Sequence, residues 1–306
     1  MSEILITVAI PTYNNEKTIG DTIVSCLNQE TDVPYEVLVV NNASKDGTKQ
    51  VIESYMNDPK LKYAENDHTV TLYENHNACL EHANGRYVIF CHSDDRLESH
   101  AVETFARKID QRNYPKKYIL FGHSMFRDFS IYLNNGGFHL NEMIAGETAP
   151  MLFMYSGLTP SGTCFSKDSL LELNGFLRTE HRLAAGDMTS MLYYALKGFR
   201  FEMTDEMIYN RTFASTAVEG RKLQDTLDSV DEAFEHFFKE VTDSDIEKLL
   251  KVSVRLKQTP LLLYFAIAKK PLYKGKVAQV LWKEIVKNPL LLRKEMLYKV
   301  IKRVYF

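Results

Sequence analysis

The chain has 306 residues and a mass of 35.3 kDa, about two average domains by length, which excludes a peptide-sized or disulfide-stapled scaffold. Hydrophobic residues make up 45% and charged residues 25%, the profile of a packed globular chain rather than a disordered or fibrous one. The formal net charge of −3 hides a division: residues 251–306 hold 14 Lys/Arg against Glu284 and Glu295, for +12, and the preceding 250 residues carry −15. Such a basic, apolar tail faces either an anionic surface such as a membrane or solvent along a helix.

In chain order, the apolar run Ile4 to Pro11 predicts a buried strand stopped by Thr12-Tyr13-Asn14-Asn15. A helix follows with Ile19, Ile23 and Leu27 at helical spacing. Glu36 to Val40 predicts a second buried strand, breaking into Asn41 to Gly47, where Asp46 is placed to cap a helix running to about Met56. Two βα units in succession predict a parallel sheet. Leu61 to Tyr73 is ambiguous, with room for a short strand at either end, whereas Asn77 to Ala83 reads as helical and Tyr87 to Cys91 as a strand. After His92-Ser93-Asp94-Asp95, a helix over about Glu98 to Asp110 and a strand over Tyr118 to Phe121 are expected. Arg127 to Glu147 shows a turn signal at Asn134 to Gly137 and no long period, so it reads as an acceptor-facing excursion. Ser166 to Leu173 and Asp187 to Lys197 read as helices closed by Asn174-Gly175 and Gly198, with a strand over Phe199 to Met203. Beyond about Glu219 the pattern is helical, broken by Pro260, Pro271 and Pro289.

Cys26, Cys79, Cys91 and Cys164 lie far apart without a CxxC pair and read as reduced thiols of a cytosolic protein. The start, Met1 to Ile10, lacks a basic n-region, so no signal peptide is expected. The longest apolar run, Leu261 to Ala268, is far short of the roughly 20 residues of a spanning helix, so membrane contact is expected to be peripheral.

Three polar clusters follow predicted strands, and parallel packing brings them to one crevice at the carboxyl ends, where ligands of open α/β sheets bind. The loop after the first strand lacks the Gly-x-Gly-x-x-Gly of a dinucleotide site, so nicotinamide and P-loop chemistry are disfavoured. Adjacent Asp94 and Asp95 after a buried strand suit a hard cation shared with substrate phosphates, or the cap of a following helix.

Four ordered segments carry a resemblance. They are Ile10-Pro11-Thr12-Tyr13-Asn14-Asn15-Glu16, Val39-Val40-Asn41-Asn42-Ala43-Ser44-Lys45-Asp46-Gly47-Thr48, Asn77-Ala78-Cys79-Leu80-Glu81-His82-Ala83-Asn84-Gly85-Arg86-Tyr87-Val88, and His92-Ser93-Asp94-Asp95. Together they resemble the inverting glycosyltransferases of family 2. Farther on, Gly162 to Phe165 with Leu173 to Phe176 resembles the family's acceptor-side segment, and Gly186-Asp187 stands where it has its catalytic acid pair or single Asp. The resemblance covers residues 4 to 212.

It implies an α/β protein with the GT-A fold, a Rossmann-like, mostly parallel sheet flanked by helices, and a C-terminal helical extension. The catalytic domain would span 1–215, with a nucleotide-sugar half to about 97 and an acceptor half from 98, followed by a basic helical region over 216–306. Implied for the donor are Pro11, Tyr13, Glu16, Asn41, His76, Asn77, His92, Ser93 and Asp94. Asp94 would also hold a divalent metal, Mn2+ or Mg2+, and Asp187 would be the catalytic base. The implied partners are a nucleotide-diphosphate sugar and a glycan or lipid-linked acceptor, not nucleic acid. An anionic membrane at the inner face of the plasma membrane, contacted through 251–306, and a homo-oligomer are further possibilities. Several positions depart from the family: Asn41 replaces the Asp that reads the pyrimidine base, His92 the first Asp of Asp-x-Asp, His76 an Arg, and Phe213 a metal-binding His. These departures motivate an alternative, a non-catalytic nucleotide- or glycan-binding protein on a degenerate GT-A fold. His123, His139 and His181 show no partner spacing, and Met151 to Tyr155 reads as core.

Overall fold

The computed structural model describes residues 3–124, 160–178, 186–211 and 223–245 together with Val286. Its elements are β1 (Ile6–Thr12), α1 (Ile19–Leu27), β2 (Tyr35–Asn41), α2 (Thr48–Glu53), β3 (Leu61–Glu65), α3 (Leu72–His82), β4 (Tyr87–Phe90) and β5 (Asp95–Leu97). Then come α4 (Ala101–Gln111), β6 (Tyr118–His123), β7 (Thr163–Ser166), α5 (Lys167–Leu171), α6 (Gly186–Leu196), β8 (Arg200–Met207), β9 (Tyr209–Arg211) and α7 (Leu223–Glu240).

Seven strands form one sheet in the order β3-β2-β1-β4-β7-β6-β8, and β5 and β9 form a separate antiparallel pair. The first four strands are parallel, with Thr12 level with Asn41, and Asn41 with Glu65. β7 runs antiparallel to both β4 and β6, and β6 and β8 are parallel. The sheet is therefore mixed but mostly parallel, as expected, with the reversal confined to β7. β1, β2 and β4 are buried along their whole length because helices cover both faces. The core on one face joins Val8, Ile10, Val37 and Val39 to Ile19, Ile23 and Phe105.

The ambiguous stretch after Leu61 holds a strand at its start only. Its far end begins α3, fixed by a capping box in which the Glu74 carboxylate accepts from the Thr71 N–H and hydroxyl. Ala233, Phe234, Phe237 and Phe238 of α7 are buried, and α7 packs against α6. The excursion over 127–147, Met151 to Tyr155, His139, His181 and Phe213 lie outside the described residues, as does 251–306 apart from Val286. All four cysteines are buried free thiols. Among the described residues no helix is long and apolar enough to cross a membrane.

The turn between α3 and β4 sets the level at which the strands start. A Cβ on Gly85 would lie 2.4 Å from the Thr7 backbone nitrogen, so only glycine lets the chain pass that close. Beside it the buried Glu36 carboxylate accepts from the Thr7 hydroxyl at 2.8 Å and from the backbone and side-chain N–H groups of Asn84. The Ala-Asn-Gly part of the third motif is thus a structural clasp between β1, β2 and β4.

Candidate active site

The crevice at the carboxyl ends of β1, β2 and β4 is built from loops that hold one another. Between β1 and α1, Asn14 takes φ 53°, and between β2 and α2, Ala43 takes φ 50°. That curls the two loops face to face. The Asn14 N–H donates to Ser44 Oγ at 3.0 Å and Asn14 Oδ1 accepts from the Lys45 N–H at 2.8 Å. The Asn15 N–H donates to Thr48 Oγ1 at 2.7 Å, and Glu16 Oε2 accepts from the Gly47 N–H at 2.8 Å. Asp46 closes the set by accepting from the Thr48 N–H, the Thr48 hydroxyl and the Glu16 N–H. Partial burial raises its pKa, but those hydrogen bonds from Thr48 and Glu16 outweigh it and hold the carboxyl below the usual range. The first two motifs are therefore largely a clasp, and Glu16 spends one carboxylate oxygen on it.

The loop that carries Asp94 is fixed from two sides. Ser93 is buried; its hydroxyl donates to Asn15 Oδ1 at 2.9 Å and its carbonyl accepts from the Thr18 hydroxyl. The Thr22 hydroxyl donates to the Asp95 carbonyl. From the other side Ser161 accepts from the His92 N–H at 3.1 Å and donates to Asp95 Oδ2 at 2.5 Å. These bonds divide the two adjacent carboxylates: Asp95, 3% exposed, ties the loop to Ser161 and Thr22, and Asp94 stands half-buried at the crevice. Among the described residues no three His, Cys, Asp or Glu side chains converge as a complete ligand set. A half-buried carboxylate on a pinned loop fits a cation that completes its shell with phosphate oxygens and water.

His92 is joined to α3. His76 is 1% exposed, its Nδ1 lies 2.8 Å from the Leu72 carbonyl oxygen, and its Nε2 lies 3.2 Å from His92 Nε2. Burial, reinforced by the charge His92 can carry, pushes the His76 pKa down to about 3, so the ring is neutral. Tyr73, Phe90 and Phe176 surround it, with ring centroids 5.1–5.7 Å away. Both nitrogens of His76 are used inside the protein, so its influence on a donor runs through His92.

The same cluster positions α6 and the turn at 174–176. A Cβ on Gly186, the first residue of α6, would lie 2.6 Å from the Tyr73 ring, so the start of α6 rests on α3. Asp187, the next residue, is half-buried beside that contact. Asn77 makes the second link: its Oδ1 accepts from the Phe176 N–H at 2.7 Å and its Nδ2 donates to the Phe176 carbonyl at 3.0 Å. This pairing staples α3 to the turn at Asn174 and Gly175, which take φ 62° and 73°.

Of the residues predicted for the donor, Pro11, Tyr13, His92, Ser93 and Asp94 lie in these loops or at the strand ends beneath them. Asn41, His76 and Asn77 are spent internally. Asn41 is fully buried; its Oδ1 accepts from the Ser44 N–H, and its Nδ2 donates to Tyr63 and Glu65. The loop and β3 thus engage both amide atoms of Asn41. Its neighbour Asn42 clasps Val70 through both amide atoms, and Asn66 bridges Asn42 to Asn75. Sequence reasoning missed Ser161, Thr18, Thr22 and Asn66, isolated polar residues in loops or at a helix start whose role appears only once the chain folds back. His123 is the last residue of β6.

Residues 7–119 match the family model described as glycosyl transferase family 2. A poly(ribitol-phosphate) beta-N-acetylglucosaminyltransferase of Staphylococcus aureus, TarS, is 26% identical over 254 residues, 80% of this chain and 42% of that protein. An Escherichia coli UDP-Glc:alpha-D-GlcNAc-diphosphoundecaprenol beta-1,3-glucosyltransferase is 34% identical over 96 residues, 31% of this chain and 37% of that one. The chain thus spans about two fifths of the length of these relatives. Among solved structures, residues 1–349 of TarS in complex with UDP superpose with a TM-score of 0.60 at 19% identity, covering 98% of this chain and 89% of that one. A Pyrobaculum calidifontis mannosyltransferase in complex with GDP-Man and Mn2+ gives 0.57 at 19% identity, covering 98% and 84%. The chain has the GT-A fold of these neighbours, and its residues 7–119 match glycosyltransferase family 2.

Proposed function

We propose that this protein transfers a hexosyl or deoxyhexosyl group from a nucleoside-diphosphate sugar to a hydroxyl of a surface glycan or polyprenyl-linked oligosaccharide, in one inverting displacement. The observation that carries the reading is the pairing of a fixed, half-buried Asp94 with an Asp187 whose helix rests, through Gly186 and Tyr73, on the helix that holds His92. In this reading Asp94 would hold a divalent cation, Mn2+ or Mg2+. A cation bound there offsets the charge that builds on the leaving phosphate.

Asp187 accepts the proton of the acceptor hydroxyl as that oxygen attacks the anomeric carbon, and in-line attack from the opposite face inverts the centre. Asn15, Thr18, Thr22 and Ser161 keep the Asp94 loop in place without touching the substrate. The complexes of the solved neighbours with UDP and with GDP-Man and Mn2+ support a nucleotide donor and a divalent metal. The relatives' acceptors, a poly(ribitol-phosphate) and a diphosphoundecaprenol-linked sugar, support a glycan or lipid-linked acceptor. The non-catalytic reading is weakened by the presence of both Asp94 and Asp187.

Mass spectrometry of reactions with nucleotide sugars and lipid-linked or glycan acceptors, followed by NMR of the new anomeric centre, tests this. A product of opposite anomeric configuration, absent with Asp187→Asn, is the expected result; donor binding without transfer to any acceptor would favour the binding-protein reading. The +12 charge of residues 251–306 supports contact with anionic lipid at the inner face of the membrane. Co-sedimentation with anionic liposomes that is unchanged when the segment is removed would dismiss that contact.

A further inference from the structure

A backbone carbonyl only accepts, so the 2.8 Å contact between His76 Nδ1 and the Leu72 oxygen puts the His76 proton on Nδ1. Its Nε2 then carries a lone pair. The nitrogen facing it at 3.2 Å, His92 Nε2, must be the donor. The rings meet edge-on, at 90° between planes, so the hydrogen bond also sets the rotation of the His92 ring. His76 cannot swing away, because Phe90, Phe176 and Tyr73 enclose it.

We propose that His76 is a positioning residue: anchored on the Leu72 carbonyl, it fixes the orientation and tautomer of His92 at the head of the Asp94 loop, making His92 Nδ1 the electron-pair nitrogen. A neutral imidazole nitrogen of that kind receives a hydroxyl or a cation and repels no phosphate, unlike a carboxylate at the same place. An imidazole held at this place presents no negative charge to a diphosphate, whereas a carboxylate would. What that nitrogen receives rests on the donor-binding reading above; the tautomer does not.

Multiple-bond proton–nitrogen NMR of the full-length chain with labelled histidine, at pH 8, reads the tautomer directly. The expected spectrum of the wild type has His92 as the single Nε2–H form. His76→Phe, which keeps a ring but removes the acceptor, should give a tautomer mixture and weaken nucleoside-diphosphate binding about tenfold or more. His76→Gln, with a carbonyl acceptor at similar reach, should restore both. Titration with a nucleoside alone and with nucleoside diphosphate plus Mn2+ separates a hydroxyl from a cation at Nδ1. An Nδ1–H form of His92 in the wild type, or the same tautomer in His76→Phe, would overturn the proposal. A correct tautomer with no nucleotide bound would uphold the positioning role and overturn the donor-binding reading instead.

Discussion

The two regions that flank the crevice, residues 3–97 and residues 160–211, are built differently. In residues 3–97 three parallel βα units bring loops to one edge, and those loops bind each other through side chain to backbone bonds such as Glu16 to Gly47 and Asn15 to Thr48. In residues 160–211 an antiparallel strand, β7, is inserted, and helix α6 is set by contacts with α3 rather than by its own strand order. A parallel βα scaffold can therefore fix its loops locally, whereas the second region takes its geometry from the first through Tyr73, Asn77 and Phe176. Damage to α3 should reach both regions.

The largest effect expected from breaking this arrangement is chemical. Asp187→Asn should lower turnover by about 10²- to 10⁴-fold, the usual range for a lost general base, with donor affinity unchanged. Single-turnover transfer assays beside donor titrations check this. A stability effect comes next: Asn77→Ala leaves the buried N–H and carbonyl of Phe176 without partners and should cost about 2–4 kcal/mol, read by urea unfolding. Gly85→Ala, forced against the Thr7 backbone, should cost at least as much.

The pH dependence sharpens the comparison. His76 has a folded pKa of about 3, below the ordinary value of 6.5, so the unfolded chain binds the extra proton. Stability is then full above pH 6.5 and falls toward pH 3, by up to about 1.4 kcal/mol per pH unit from this group. His76→Phe should flatten that slope in unfolding measurements between pH 6.5 and 4.5. A smaller effect is expected from Ser161→Ala, which removes the Ser161 bonds to the His92 N–H and Asp95 Oδ2: about tenfold weaker metal affinity by calorimetry, with little change in donor affinity when metal is absent. Glu16→Gln, at an exposed clasp, should change stability by less than about 1 kcal/mol.

The legibility of the sequence follows the same division. The buried strands β1, β2 and β4 announce themselves as branched apolar runs, and the ends of α5 and α6 by Asn174-Gly175 and Gly198. The start of α3 does not. Its buried face is Tyr73, Asn75, His76 and Asn77, polar side chains satisfied by partners far along the chain, so hydrophobic periodicity is absent where the helix matters most. Only the Thr71 and Glu74 spacing marked it. β5 and β9 have three residues each and pair across more than a hundred positions, too short for any pattern. In the site, Asp94 and Asp187 are visible as carboxylates at strand and helix boundaries, but the division of labour between Asp94 and Asp95 depends on Ser161. The internal use of Asn41 likewise depends on Tyr63, Glu65 and Ser44. Motif letters show that a loop is built; which of its side chains face a ligand is decided by long-range hydrogen bonds.

The central claim, that the Asp94 loop holds a nucleoside diphosphate together with a metal, is tested most directly by calorimetric titration of nucleoside diphosphates with and without Mn2+. The expected result is metal-dependent binding of one nucleoside diphosphate, lost in a folded Asp94→Ala variant and kept in Asp187→Asn. Binding that is indifferent to Mn2+ and to Asp94→Ala, or absent for every nucleotide, would contradict it.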